Sequence, residues 1–247
     1  MSTVVEEAPS LSVVIPVRNE ADNVGPLVRE IFQSLAHYGA FEVIFSDDAS
    51  TDGTVEIIRA LRREYGSQVR ILRHSRGCGQ SIAVWNGVRA ARANWVVTMD
   101  GDGQNDPADI PILLRARDED ASAPKLILGY RRARKDNWIR RVSSRIANEV
   151  RNYILRDGVP DTGCGIKLFH RRTFLALPAF NHMHRFLPAL FRRAGVPVTS
   201  VGVRHRPRLH GVSKYGLANR LWVGIVDLFG VLWLLRRAPA LATITEE

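Results

Sequence analysis

Residues 94–104 read NWVVTMDGDGQ. The apolar run 94–99 has the length and the β-branched content of a buried strand. Asp100, Asp102 and Gln104 leave its carboxyl end together. Gly101 and Gly103 let the backbone turn sharply, so that these oxygens converge on one point. Hard oxygen ligands of this kind suit Mg²⁺ or Mn²⁺, with coordination room left for substrate phosphates. A plain polar turn before a helix opened by Asp109 and Pro111 would use the same letters, so the neighbouring segments decide.

Working outward, apolar runs at 11–17 (LSVVIPV), 41–46 (FEVIFS), 69–73 and 125–130 read as strands. Between them, helices are expected from Asn19 and Glu20 to about Tyr38, from Thr54 to Tyr65 and from Gln80 to about Ala93. This alternation with short connections predicts an α/β fold: a mainly parallel sheet with helices on both faces. Strands rich in Val and Ile fit burial on both sides. Ligands of such sheets bind beyond the carboxyl ends of the strands. Asp47 and Asp48, in the turn after the second strand, fall at the same edge as Asp100 and Asp102. Two acidic clusters from separate strands at one edge are hard to explain as solvated loops.

The chain has 247 residues and a net charge of +10, supplied mostly by arginine. The guanidinium fork favours phosphate, so nucleic acid, an anionic membrane surface or a phosphorylated substrate are the partner classes to weigh. Cys78 and Cys164 make no disulfide framework, and neither spacing nor flanking glycines suggest metal ligation or thiol catalysis. The acidic amino terminus lacks an apolar signal region, and a reducing cytosolic setting is expected. Nine basic residues, Arg131 to Arg156, alternate with apolar ones at helical spacing; most fit a solvated basic face. Residues 222–235 (WVGIVDLFGVLWLL) are apolar apart from Asp227, with Arg220 before them and Arg236 and Arg237 after. As a helix this run spans about 21 Å, short of a bilayer core of about 30 Å. A helix lying in the membrane interface is expected, with a helix buried on the domain as the competing reading.

Several stretches in order resemble the family 2 glycosyltransferases, specifically the dolichyl- or polyprenyl-phosphate sugar synthases, dolichol-phosphate mannose synthase among them. They are SVVIPVRNEADNV, SDDASTDGT, RGCGQSIAVWNGVRAA, VVTMDGDGQNDP, GYR, DTGCGIKLFHRR and RPRLHGVSKYG. The resemblance implies a GT-A nucleotide-binding domain over residues 10–203, a substrate-binding loop at about 204–216, and a membrane-associated helix at 217–238. It implies inverting transfer of a sugar from a GDP- or UDP-linked donor to a polyprenyl phosphate, at the cytoplasmic face of the membrane, by a peripheral or monotopic enzyme. By position, Pro16, Arg18 and Glu20 line the nucleotide pocket, and Asp47 and Asp48 address base and ribose. Asp100, Gly101, Asp102 and Gln104 sit at the diphosphate, with Asp100, Asp102 and Gln104 holding Mg²⁺ or Mn²⁺. Arg131, Arg208 and Lys214 reach the donor, and Arg141 and Arg145 the acceptor phosphate. Asp102, Arg131 and Arg145 carry the catalytic expectation. Ala49, where Gly or Asn is common, is expected to be harmless.

The acceptor of such an enzyme is already an anion and needs no strong base. Positioning and electrostatics then carry the acceleration. A transferase acting on a sugar hydroxyl would instead need a carboxylate base, for which Asp161 is the candidate. His205 and His210 read as packing or phosphate contacts rather than acid–base groups. No nucleic-acid partner is expected, because aromatics are not interleaved with the basic run. Homo-oligomerisation stays open as an aid to membrane attachment.

Overall fold

The computed structural model describes residues 8–119, 125–131, 149, 151–207 and 217–237, the side chains of 217–223 excepted. Among these, the apolar runs form β1 (Leu11–Val17), β2 (Phe41–Asp47), β3 (Val69–Arg73), β4 (Trp95–Thr98), β5 (Leu126–Arg131), β6 (Lys167–His170) and β7 (Val198–Val203). They make one sheet in the order β3-β2-β1-β4-β6-β5-β7. β1 lies parallel to β2 and β4, β2 to β3, and β5 to β7, while β6 is antiparallel to both its neighbours. The expected mainly parallel sheet is thus mixed, with one reversed strand.

The helices are α1 (Ala21–Ser34), α2 (Thr54–Tyr65), α3 (Gln80–Ala90), α4 (Ile110–Asp118), α5 (residues 151–155), α6 (Arg171–Leu175), α7 (Leu187–Arg193) and α8 (Leu217–Arg236). Alternation along the strands splits their side chains between two cores. Leu11, Val13 and Ile15 of β1, Phe45 of β2 and Val97 of β4 pack with α1, α2 and α4. Val14, Ile44 and Val96 face the other way, onto α3, α6 and α7. α1 stops before the expected Tyr38, because Leu35 leaves helical geometry and Gly39 turns the chain at φ +93°. α3 stops at Ala90, where Ala91 becomes extended.

α8 revises the reading of the carboxyl-terminal run. It has 20 residues, but Asn219, Arg220, Asp227 and Arg236 interrupt it. No described helix is long and apolar enough to cross a membrane. One face belongs to the second core: Val231 is buried, Leu228, Leu232 and Leu235 pack beside it, and Asp227 Oδ2 lies 2.8 Å from His182 Nδ1. The other face leaves Ile225, Val226, Phe229 and Trp233 exposed. The reading of a helix buried on the domain holds for the first face; the second carries the exposed apolar side chains.

Candidate active site

Strand register brings the acidic groups together. Val17 of β1 pairs with Asp47 of β2, and Val14 with Thr98 of β4. The residues that follow, Arg18, Asp48 and Asp100, therefore emerge at one sheet edge. Because β6 is antiparallel, it begins at this same edge, where Lys167 pairs with Thr98.

A cradle of hydrogen-bonding groups forms around Asp48, a buried carboxylate. It accepts the backbone N–H groups of Cys78 (2.6 Å) and Gly79 (2.9 Å) and lies 2.9 Å from His74 Nδ1. Burial alone would raise its pKa, but the Cys78 N–H, His74 and the Gly79 N–H together hold it below the usual carboxylate range. The amide of Asn86 donates to His74 Nε2 at 3.0 Å, so Nδ1 carries the proton that Asp48 accepts. Asp48, His74 and Cys78 place ligand-type atoms within 4.8 Å of one another. With both imidazole nitrogens and the carboxylate engaged, they form a fixed hydrogen-bonding cradle rather than a cation site. Arg18 crosses its mouth, Nη1 3.9 Å from Asp48. Asp47 is different: it is wholly buried, and both carboxylate oxygens accept the Ser50 N–H at 3.3 Å. As placed, it builds the turn and offers no atom to a ligand.

Much of the stretch SDDASTDGT is scaffolding. Ser50 Oγ accepts the Asn19 N–H at 2.9 Å, Thr54 Oγ1 accepts the Glu20 N–H at 2.8 Å, and Asn19 Oδ1 accepts the Thr51 N–H at 2.8 Å. These bonds stitch the turn after β2 to the turn after β1. Glu20 is turned toward Asn23, accepting its amide at 2.7 Å. Pro16 is half-buried within β1, opposite Ser46. Ala49 takes φ +58°, a left-handed conformation costing an L-residue roughly 1–2 kcal/mol. The exchange expected to be harmless is a strained one.

In the acidic turn, Gly103 supplies the positive φ (+73°), while Gly101 packs against Val17 of β1. Asp102 Oδ1 accepts the Gln104 N–H at 3.1 Å. Asp100 Oδ1 accepts the side-chain amide of Gln80, at the start of α3, at 2.8 Å. Gln80 was not foreseen, although it stands in the RGCGQS stretch. A Cβ at residue 165 would fall 2.3 Å from Asp100 Oδ2; only glycine leaves room for the carboxylate there. Burial first, and then the neighbouring Asp102 charge, push Asp100 up to about 6, against the pull of Lys167, Gln80 and Arg131. Two hard carboxylates at one turn match the chemistry of Mg²⁺ or Mn²⁺.

The opposing wall is cationic. Arg131, at the end of β5, makes a two-pronged pair with Asp161: Nε to Oδ2 at 2.6 Å and Nη2 to Oδ1 at 2.9 Å. Lys167 is buried at the base of the wall, donating to the Cys164 carbonyl. Burial lowers its pKa, while Cys164, Asp100 and Asp161 pull it back up. His184 Nδ1 lies 2.7 Å from Ser81 Oγ, next to Gln80. Burial, then Lys167, Arg185 and His182, hold its imidazole well below the usual range, so it is neutral at pH 7. Neither Lys167 nor His184 was singled out from the sequence, although Lys167 stands in the stretch DTGCGIKLFHRR.

Residues 204–206 ride on the acidic turn. Asn105 and His205 form an antiparallel bridge, and the Arg206 N–H donates to the Gln104 carbonyl at 3.0 Å. Arg206 Nη2 lies 2.7 Å from Asp106 and its Nη1 2.6 Å from Glu30 of α1. Arg204 Nε and N–H both donate to Asp109, at 3.1 and 2.7 Å. The segment leading toward residue 208 is thereby fastened to the turn. Arg141, Arg145, Arg208 and Lys214 lie outside the described residues, as does the expected loop at about 204–216 from residue 208 onward.

The comparisons with known proteins agree with this geometry. A model described as glycosyl transferase family 2 matches residues 12–177. The dodecaprenyl-phosphate galacturonate synthase of Rhizobium johnstonii is 37% identical over 235 residues, covering 92% of this chain and 67% of that one. An undecaprenyl-phosphate 4-deoxy-4-formamido-L-arabinose transferase of Edwardsiella ictaluri is 32% identical over 84% of this chain and 63% of its own length. The chain thus spans about two thirds of these relatives. Neither is a mannose synthase, so the resemblance holds at the level of prenyl-phosphate sugar transferases. Among solved structures, glucosyl-3-phosphoglycerate synthase from Mycobacterium tuberculosis, in complex with Mn²⁺, UDP and glucosyl-3-phosphoglycerate, superposes at TM-score 0.65. It is 21% identical, over 94% of this chain and 81% of that one. Mannosyl-3-phosphoglycerate synthase from Rubrobacter xylanophilus superposes at TM-score 0.66 and 16% identity, over 96% and 77%. The mixed sheet is therefore of the GT-A type. On the family match and the identity to its curated relatives, the chain is a glycosyltransferase and belongs to glycosyl transferase family 2.

Proposed function

We propose that the protein transfers a sugar from a nucleotide-diphosphate sugar to a polyprenyl phosphate at a membrane surface, with inversion at the anomeric carbon. The observation that carries this reading is the pairing of Arg131 with Asp161. Asp161, the carboxylate that the sequence offers as a base, is clamped by two hydrogen bonds to a guanidinium, which a general base for a sugar hydroxyl would not be. A phosphate acceptor needs cations and no base, and Arg131 and Lys167 are the cations in place. The names of the curated relatives, all prenyl-phosphate sugar transferases, support the same acceptor class.

In this reading Asp48 and the amides beside it take the nucleoside, with Arg18 over the mouth. Asp100 and Asp102 hold Mg²⁺ or Mn²⁺ at the diphosphate, as their hard oxygens and shared charge suit. The ion, when bound, offsets charge on the departing nucleotide. Arg131 and Lys167 keep the acceptor phosphate near the donor despite their mutual repulsion. Arg141, Arg145, Arg208 and Lys214 keep the acceptor and donor roles that their sequence positions imply. The exposed face of α8 rests on the membrane, whose anionic lipids match the net positive charge.

The test is transfer from a panel of UDP- and GDP-sugars to a short-chain prenyl phosphate, with Mg²⁺, Mn²⁺ or EDTA. Metal-dependent formation of a prenyl-phosphate sugar is expected. Transfer only to a soluble phosphomonoester, or only to a sugar hydroxyl, would overturn the acceptor.

A further inference from the structure

An open groove of about 740 Å³ lies between α5 and α8, apart from the acidic turn. Its apolar walls are Ile154 and Leu232, with the ring of Tyr153, 87% exposed, at the rim. Arg156, just past the end of α5, and Arg236 of α8 flank it; both are exposed, and among the described residues neither guanidinium has an acidic partner. The α5 wall is built rather than incidental. Arg151 of α5, itself buried, donates to Asp157 (3.1 Å) and to the Val159 carbonyl (2.8 Å), and Asn152 donates to that same carbonyl at 3.3 Å. On the far side α8 is fixed by the burial of Val231 and by the His182–Asp227 contact.

We propose that this groove binds one anionic glycerophospholipid, distinct from the acceptor. The phosphate sits between Arg156 and Arg236, and an acyl chain lies over Ile154 and Leu232. Charge complementarity supports this occupant: two unpaired guanidinium groups and apolar walls match an amphiphile with an anionic head. Continuity supports it too. On the wheel of α8, Leu232 and Arg236 border the exposed stripe of Ile225, Phe229 and Trp233, so the groove opens beside the surface that would meet a bilayer. Position sets the groove apart from the acidic turn. Arg236 is nine residues past Asp227, about 13 Å along the helix, and it is the Asp227 end that is tied to His182, two residues from His184 of the site. A phosphate held at Arg236 anchors a lipid that does not react.

The inference rests on the membrane reading of α8 above, and its test is separable from the acceptor reading. Flotation of the full chain with phosphatidylcholine vesicles, with and without phosphatidylglycerol and free of prenyl phosphate, is compared for wild type, Arg156→Gln and Arg236→Gln. Binding is expected to tighten with phosphatidylglycerol and to lose about fivefold of that gain for each arginine removed. Turnover of a short-chain prenyl phosphate in solution is expected to stay at the wild-type level in both variants. Wild-type affinity for phosphatidylglycerol vesicles in both variants would overturn the proposal. So would loss of short-chain turnover with vesicle binding intact, which would make the groove the acceptor's. Arginine-dependent vesicle binding by a protein that does not glycosylate prenyl phosphate would uphold the lipid site and reject the acceptor.

Discussion

Asp161 meets Arg131 edge to edge, both carboxylate oxygens facing the guanidinium at 2.6 and 2.9 Å. A pair in this geometry acts as one unit, because removing either partner leaves the other charge stranded beside Asp100. Asp161→Ala and Arg131→Ala should each lower kcat/KM by roughly 10- to 100-fold, the scale of one charge-assisted contact. The double variant should be little worse than either. Losses that simply multiply in a double-mutant cycle would show two independent roles, and would revive Asp161 as a base.

Asp100, held up to about 6, makes the apo fold pH-dependent. Its carboxyl titrates higher when folded than when unfolded. Its contribution is therefore fully favourable below about 3.8, and it is lost as pH rises through about 6. Asp100→Asn should stabilise the metal-free protein by roughly 1–3 kcal/mol at pH 8, with no gain at pH 3.5. Thermal melts at the two pH values decide this. The same variant, like Asp102→Asn, should abolish metal-dependent turnover. Apparent Mn²⁺ affinity in the wild type should weaken as pH falls below 6; a flat metal titration from pH 8 to pH 5 would count against Asp100 as a ligand.

How much of this could be read beforehand differs by element. β1, α2 and β3 match their expected bounds, because each carries its own periodicity and its own end signal. The convergence of Asp48 and Asp100 followed from the parallel order alone. β6 did not: four residues, KLFH, have no period long enough to betray direction, and its reversal brings Lys167 and Asp161 to the site. Asp47 and Asp48 are adjacent and alike in sequence, and only their partners in the fold separate them: Asp47 builds the turn with Ser50, while Asp48 gathers Cys78, Gly79 and His74.

Arg206 ties three things at once: Glu30, Asp106 and the carbonyl of Gln104. Arg206→Ala leaves buried Asp106 with the Ala108 N–H at 3.0 Å and, as its remaining charged contact among the described residues, Arg204 at 3.4 Å. A stability loss of about 1–2 kcal/mol is expected, together with a raised donor KM as the following segment loosens from the turn. Arg206→Lys should recover most of the stability and little of the KM. Unchanged donor KM in both would confine the residue to structure.

Ala49→Gly should stabilise the protein by about 0.5–1 kcal/mol. That is the left-handed penalty of roughly 1–2 kcal/mol less the extra unfolded-state freedom of glycine. Denaturant midpoints would measure it; a destabilised variant would mean that the methyl packs more than it strains.

The two faces of α8 should separate on mutation. Phe229→Ser and Trp233→Ser, on the exposed face, should weaken vesicle binding several-fold and leave the melting temperature within a degree or two. Val231→Ala should cost about 1–3 kcal/mol of stability and leave vesicle binding per folded molecule unchanged. Removing the whole helix would uncover the second core, so truncation cannot report on the membrane alone.

The reversed β6 has a further consequence for how the site is divided along the chain. The carboxylates of the Asp48 cradle and of the acidic turn precede α4, whereas Arg131, Asp161, Lys167 and Arg206 all follow it. A cut between α4 and β5 would separate an acidic fragment from a basic one, each carrying half of the site and unpaired edges on adjoining strands. Such halves are suited to reassembly from solution, with opposite charge guiding the encounter and β4 against β6 restoring the register.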